Sequence, residues 1–163
     1  LGDRNRGPCR GGLGARDRTT GDQMVTDKDR ALLEQAFAVQ ANAHAPFSNY
    51  PVGSAVRTED GTVFTGCNVE SASFSLTCCA ERVAVFKAVS EGHTRMMSCA
   101  IVTIEDEPAL PCGACRQVLW EFGGDLRIVL GNAAGKTRVL QLADILPGGF
   151  TAAQLPDRNA KRD

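Results

Sequence analysis

The chain has 163 residues, 43% of them apolar, which suits one domain built around a single core of useful size. A net charge of −1 and the lack of a Lys/Arg-rich block in its body exclude a basic nucleic-acid groove. No apolar run reaches the ~18–20 residues of a membrane span, and the start lacks a charged region followed by an apolar one, so a cytoplasmic protein without secretory signal or membrane partner is expected.

Residues 1–23 are rich in Gly and Arg, with five Arg against three Asp and almost no large apolar side chain. Such a segment cannot bury enough surface to offset its ordering entropy. It is expected to be a disordered extension ahead of a start at Met24, with a basic arm as the functional alternative. A domain over 24–151 and a polar tail over 152–163 complete the expected organisation.

The domain opens on a helix signal. Thr26 followed by Asp29 resembles a capping box, and Leu32, Leu33, Ala36, Phe37 and Gln40 follow at helical spacing. Pro46 disfavours helix just before it, so the helix should end near His44. Gly53–Thr58 and 62–69 flank Glu59-Asp60-Gly61 and predict a β-hairpin. Helical pattern returns from Cys79 to Glu91, where Gly92 can stop it. Cys99–Ile104 is a short apolar run of strand type. Pro111 introduces a helix through Gln117, Val118, Leu119 and Trp120, ending at Gly123-Gly124. Leu126–Leu130 predicts a strand, and Val139–Leu146 a strand running into a short helix. Strands alternating with helices imply an α/β sandwich with a mixed sheet.

Seven cysteines are an odd number for a disulfide framework. Cys78, Cys79, Cys112 and Cys115 form two tight groups, while Cys9, Cys67 and Cys99 stand apart. Two residues separate Cys112 from Cys115, so both sulfurs can face one ion at the mouth of a helix. A redox dithiol uses the same spacing, though Pro111 favours metal by fixing the entry into the helix. Cys79 is the expected third ligand. Three thiolates leave one tetrahedral position of zinc for water, as in catalytic rather than structural sites. Cys78, on the same turn as Cys79, cannot easily aim at the same ion and is expected to pack as a small apolar residue. Glu81 lies two residues after Cys79, close enough to serve a metal-bound water as general acid and base without being a ligand. The bland alternative is a helix N-terminal Glu favoured by the dipole.

The order Cys79-Ala80-Glu81, then Pro111-Cys112-Gly113-Ala114-Cys115, matches the zinc deaminase signature. With Cys67-Asn68-Val69-Glu70, Phe86–Gly92, Arg116-Gln117-Val118 and Leu146–Phe150, residues 28–150 resemble the small three-Cys cytidine deaminases of the cytidine/deoxycytidylate deaminase family. The resemblance implies a three-layer α-β-α sandwich with a mixed central sheet of about five strands. It implies one Zn²⁺ per chain on Cys79, Cys112 and Cys115, and hydrolysis of free cytidine and 2′-deoxycytidine to the uridine nucleosides and ammonia in pyrimidine salvage. Hydroxide activated by the zinc would attack C4, with Glu81 shuttling protons.

Further roles also rest on the resemblance. Asn68 and Glu70, with Val69 between them, would bind the ribose through its 3′-hydroxyl, and the Glu70 carboxylate would repel a phosphate. Ala80 would offer its backbone N–H to the base carbonyl. Phe47, Tyr50, Phe74 and Phe150 would wall the substrate cavity, Phe150 from a neighbouring subunit of a homotetramer; Tyr50 stands where the family commonly has Phe. Zinc with three thiolates carries a formal −1 that would make water less acidic, and Arg82, donating to ligand sulfur, would offset it together with two helix N-termini.

Three alternatives remain beside this one. A related aminohydrolase such as a blasticidin S deaminase shares the core motif but is disfavoured by Arg82 and the Cys67–Glu70 run. A structural zinc module would want a fourth protein ligand. A thiol redox protein would use Cys112 and Cys115. His44 and His93 have no ligand spacing and are expected at helix C-termini as dipole partners.

Overall fold

A computed structural model of the chain describes residues 24–155; the expected disordered segment 1–23, and the tail from residue 156 on, lie outside the described residues. Helix α1 spans Asp27–Gln40. Its capping box is formed: Thr26 Oγ1 accepts from Asp29 N at 3.2 Å and Asp29 Oδ2 accepts from Thr26 N at 2.8 Å. The Asp29 carboxylate also accepts from Arg127 Nη2 at 2.9 Å, which ties the start of α1 to the sheet. Burial alone would raise the Asp29 pKa, but Arg127 and the Thr26 groups outweigh it and hold it below the ordinary value of 3.8.

Strands β1 (Gly53–Thr58), β2 (Val63–Cys67), β3 (Met96–Thr103), β4 (Arg127–Asn132) and β5 (Thr137–Gln141) form one sheet in the order β2-β1-β3-β4-β5. Only the β3–β4 pair is parallel. A parallel pair needs a crossover, and helix α3 (Gly113–Gly123) supplies it. Helix α2 (Ala80–Ser90) follows β2, and the short α4 (Leu142–Ile145) follows β5.

Side chains of the central strands alternate between two apolar layers. Ala55, Ala100, Val102 and Val129 meet Leu32, Leu33 and Ala36 of α1. Val56, Cys99, Ile101, Ile128 and Leu130 meet Ala84, Val85 and Ala88 of α2 and Leu119 of α3. Helices therefore cover both faces, giving the expected three-layer α-β-α sandwich with a mixed five-stranded sheet. At Gly66 the strand touches helix backbone: a Cβ there would stand 2.4 Å from Ala84 N. Seating α2 directly on β2 needs a residue without a side chain.

The predicted hairpin is present, with Gly61 at φ 91° in its turn. Other boundaries move. Helix α1 stops at Gln40 rather than near His44, because residues from Asn42 onward turn towards the site: His44 N donates to Asn68 O and His44 O accepts from Glu70 N. His44 is therefore not a helix-terminal residue. His93 does close α2, through its N–H to Ala88 O, but its imidazole pairs with Asp60 of the hairpin turn at 3.4 Å. Strand β3 begins at Met96, three residues ahead of the predicted run.

Candidate active site

The N-terminal ends of α2 and α3 converge. Cys79 is the N-cap of α2 and Cys112 the N-cap of α3, both in extended backbone conformation, and neither side chain caps its own helix. Their sulfurs are thus free to point outward, and they meet at 3.9 Å. Cys115, fully buried in the first turn of α3, brings the third sulfur, and all three lie within 4.8 Å of one another. Sulfurs bound ~2.3 Å from one tetrahedral ion stand ~3.8 Å apart, so the cluster has the dimensions of a three-thiolate zinc site. It is the one group of three or more ligand-type side chains with this spacing among the described residues.

Charges around the cluster are suited to a cation. Hydrogen bonding from Cys115, and then from Arg82, draws the Cys79 thiol down to about 5 against partial burial. The Cys115 proton is held in return, first by its bond to Cys79 and then by burial. Arg82 Nη2 donates to Cys79 Sγ at 3.5 Å and to Thr77 O at 3.0 Å, and the bond to Cys79 holds the guanidinium more firmly protonated. Arg82 Nε is buried without a hydrogen-bond partner, so one donor of this cation is unsatisfied. An anionic sulfur cage around a dication satisfies that charge better than neutral thiols do.

Glu81, only 4% exposed, sits in the first turn of α2. Burial pushes its carboxyl above the ordinary range, the Cys79 thiolate adds to the rise, and its own backbone N–H, Cys115 and Arg82 pull the other way. A buried carboxyl beside a metal cage, and outside the cluster of sulfurs, can both take and return a proton. Cys78 stays out of the cluster; its backbone pairs with Val69, and burial raises its thiol. Cys99 is buried on β3 against Ser54 Oγ and pushed up to about 12 by desolvation, so it is an inert core thiol.

The Val69–Cys78 bridge joins the cluster to the segment from Asn68 to Glu70. Asn68 Oδ1 accepts from Val52 N at 2.8 Å, and its Nδ2 donates to Tyr50 O at 2.9 Å. Glu70 Oε2 accepts from Phe47 N at 2.9 Å and Ser48 N at 3.2 Å, while Ser48 Oγ donates to Oε1. Both side chains therefore hold the 47–52 loop. Phe47 from that loop packs edge-on against Phe74 with ring centroids 5.4 Å apart, and both rings are largely exposed. Tyr50 is half-buried; burial raises its pKa, Thr103 opposes and Glu105 adds to the rise. Phe150 lies elsewhere, on the α3 side, 51% exposed.

Sequence reasoning gave no role to Ser48, which ties Glu70 to the loop, or to Thr77, whose carbonyl aims Arg82. Nor did it give one to Arg116 and Gln117, although both directly follow Cys115 in the quoted motif. Arg116 Nε donates to Pro111 O at 2.7 Å, bracing the residue that precedes Cys112.

A family model described as the cytidine and deoxycytidylate deaminase zinc-binding region matches residues 26–132. Among curated relatives, the chain is 42% identical to a cytidine deaminase of Halalkalibacterium halodurans over 127 residues, 77% of this chain and 96% of that one. It is 40% identical to a cytidine deaminase of Mycobacterium tuberculosis over 133 residues, 81% of this chain and 97% of the relative. Among solved structures, a cytidine deaminase from Burkholderia pseudomallei superposes with a TM-score of 0.72 at 47% identity, covering 74% of this chain and 98% of that one.

Proposed function

The chain belongs to the cytidine and deoxycytidylate deaminase family, and from that membership we propose that it hydrolyses the 4-amino group of free cytidine and 2′-deoxycytidine, yielding the uridine nucleosides and ammonia. The observation that carries this proposal is the cluster of Cys79, Cys112 and Cys115 sulfurs with the buried Glu81 carboxyl beside it.

Those three sulfurs would hold one Zn²⁺. When bound, the ion acts as a Lewis acid that makes water a nucleophile near neutral pH. Glu81 takes one proton of the water and delivers it to N3 of the pyrimidine, then takes the second, from the hydroxyl added at C4, and hands it to the departing amine, so that ammonia leaves and the C4 carbonyl forms. Water oxygen thus replaces the amine nitrogen at C4. Arg82 and the positive N-terminal ends of α2 and α3 withdraw charge from the sulfurs, which offsets the formal −1 of a dication with three thiolates. The Ala80 N–H, in the first turn of α2, is offered to the base carbonyl.

Glu70 and Asn68 recognise the sugar from the loop they organise. A carboxylate has about four acceptor positions; the Glu70 carboxylate uses three on Phe47 and Ser48, leaving one on Oε1 for a ribose hydroxyl. Its charge disfavours a nucleotide phosphate. Phe47, Tyr50, Phe74 and the exposed Val69 wall the mouth, and Phe150 lies against the base of a neighbouring copy in a homotetramer. Exposed Phe47, Phe74, Leu76 and Phe150 support such an assembly, because apolar side chains this open to water gain from a partner surface. The enzyme works in the cytoplasm, in pyrimidine salvage; no helix among the described residues is long and apolar enough to cross a membrane.

The test is purified protein assayed for metal content and for loss of cytidine absorbance. One zinc per chain with turnover of both nucleosides, and none of cytosine or the monophosphate, is the expected result. Protein that binds no zinc, or turns over neither nucleoside, would overturn it.

A further inference from the structure

After α4 the chain runs through Leu146-Pro147-Gly148-Gly149 to Phe150 with no strand or helix of its own. Consecutive turns of α3 hold it instead. Arg116 Nη1 donates to Ile145 O at 2.8 Å at the start of the segment. Gly149 packs closely against the Trp120 indole: a Cβ there would stand 3.0 Å from Trp120 Cδ1 and Cγ. At the end, Gln117 Nε2 donates to Phe150 O at 2.8 Å and Gln117 Oε1 accepts from Phe150 N at 3.2 Å.

This reciprocal amide pair grips both backbone polar groups of one residue, as a strand neighbour would. It fixes where the Phe150 Cα–Cβ bond leaves the chain and leaves the ring untouched. Among the described residues the ring stacks on no other aromatic side chain, and the clamp on its backbone fixes the point from which it projects. The same helix carries Cys112 and Cys115 in the preceding turn.

We propose that Gln117 is a positioning residue for substrate binding: through its two bonds to the Phe150 backbone it aims the Phe150 ring at the pyrimidine, with Arg116 and Trp120 holding the segment on either side. This rests on the placement of Phe150 against the base given above. The two side-chain hydrogen bonds of Gln117 both go to the Phe150 backbone, so its loss acts on KM through Phe150.

The test is a cycle in the zinc-loaded full chain with Gln117→Met, Phe150→Ala and the double variant, reading zinc content, kcat and KM for cytidine. Gln117→Met keeps the side-chain length and can make neither bond. Zinc should stay at one per chain, kcat within about twofold of the parent, and KM should rise about tenfold. Phe150→Ala should raise KM roughly 5- to 150-fold. The double variant should match Phe150→Ala alone, since the clamp acts only through that ring. If Phe150→Ala raises KM but the two effects add in full, or if Gln117→Met lowers kcat at unchanged KM, the positioning role is overturned and the placement of Phe150 stands. If Phe150→Ala leaves KM unchanged, that placement itself fails and the clamp with it. Gln117→Glu, which sets a carboxylate against the Phe150 carbonyl, repeats the test; failure of both variants to give folded, zinc-loaded protein also overturns the proposal.

Discussion

Adding one methyl group at Gly66 should damage the active site through the sheet. A Cβ there would stand 2.4 Å from Ala84 N, 2.6 Å from Ala80 O and 2.9 Å from Val83 Cβ. Ordinary contacts between such atoms are about 3.5 Å or more. Two of the three atoms are helix backbone, so no side-chain rotation relieves the overlap, and α2 must withdraw by about 1 Å. That helix is preceded by its N-cap Cys79 and carries Glu81. Overpacking of this kind costs about 1–3 kcal/mol, and a shift of ~1 Å in reacting groups can cost ~100-fold in rate. Gly66→Ala should therefore lower the urea midpoint and reduce kcat/KM by about 100-fold. Gly113→Ala is the control: it lies between Cys112 and Cys115, yet its Cβ would meet nothing within 4 Å. It should keep zinc, stability and turnover. Wild-type stability and turnover in Gly66→Ala, or equal damage from Gly113→Ala, would refute the view that close packing onto α2 sets the site.

Glu81→Gln should retain one zinc per chain and lose roughly 10²–10⁴-fold in kcat, read by the cytidine absorbance assay; full activity would remove Glu81 from proton transfer. Asp29 has a depressed folded-state pKa, so its contribution to stability is present above its ordinary value of 3.8 and fades as pH falls through the lower folded value. Asp29→Asn should accordingly cost about 3 kcal/mol at pH 7, with the difference from the parent shrinking below pH ~4; an equal difference at both pH values in urea titrations would contradict the Arg127 pairing. Glu70→Ala should raise KM for cytidine while leaving zinc content intact, and should lose that effect on a nucleoside lacking the 3′-hydroxyl; an undiminished effect there would assign Glu70 to the 47–52 loop alone.

Chemistry was legible in the chain wherever it is encoded over a few residues. The Thr26–Asp29 capping box, the Glu59–Gly61 turn and the entry into α3 after Pro111 depend on local backbone preference, and each forms where its residues predict. The ligand types and the offset of Glu81 from Cys79 are also local. Pairing Cys79 with Cys112 across 33 positions is not: resemblance suggested it, and the convergence of two helix N-termini realises it.

The fold decided matters that depend on which backbone groups come to lie nearby. For Asn68 and Glu70 the resemblance implied only a ribose contact, and packing alone hands them the free N–H and C=O groups of the 47–52 loop. His93 found Asp60 because the hairpin turn returns beside the end of α2. Gln117 meets Phe150 because α4 turns the chain back over α3. Composition and spacing specify which chemistry a segment can perform, since that is a property of side chains and neighbouring residues. Partners distant in the chain follow from close packing of helices on a sheet, where a glycine such as Gly66 sets how near two backbones come.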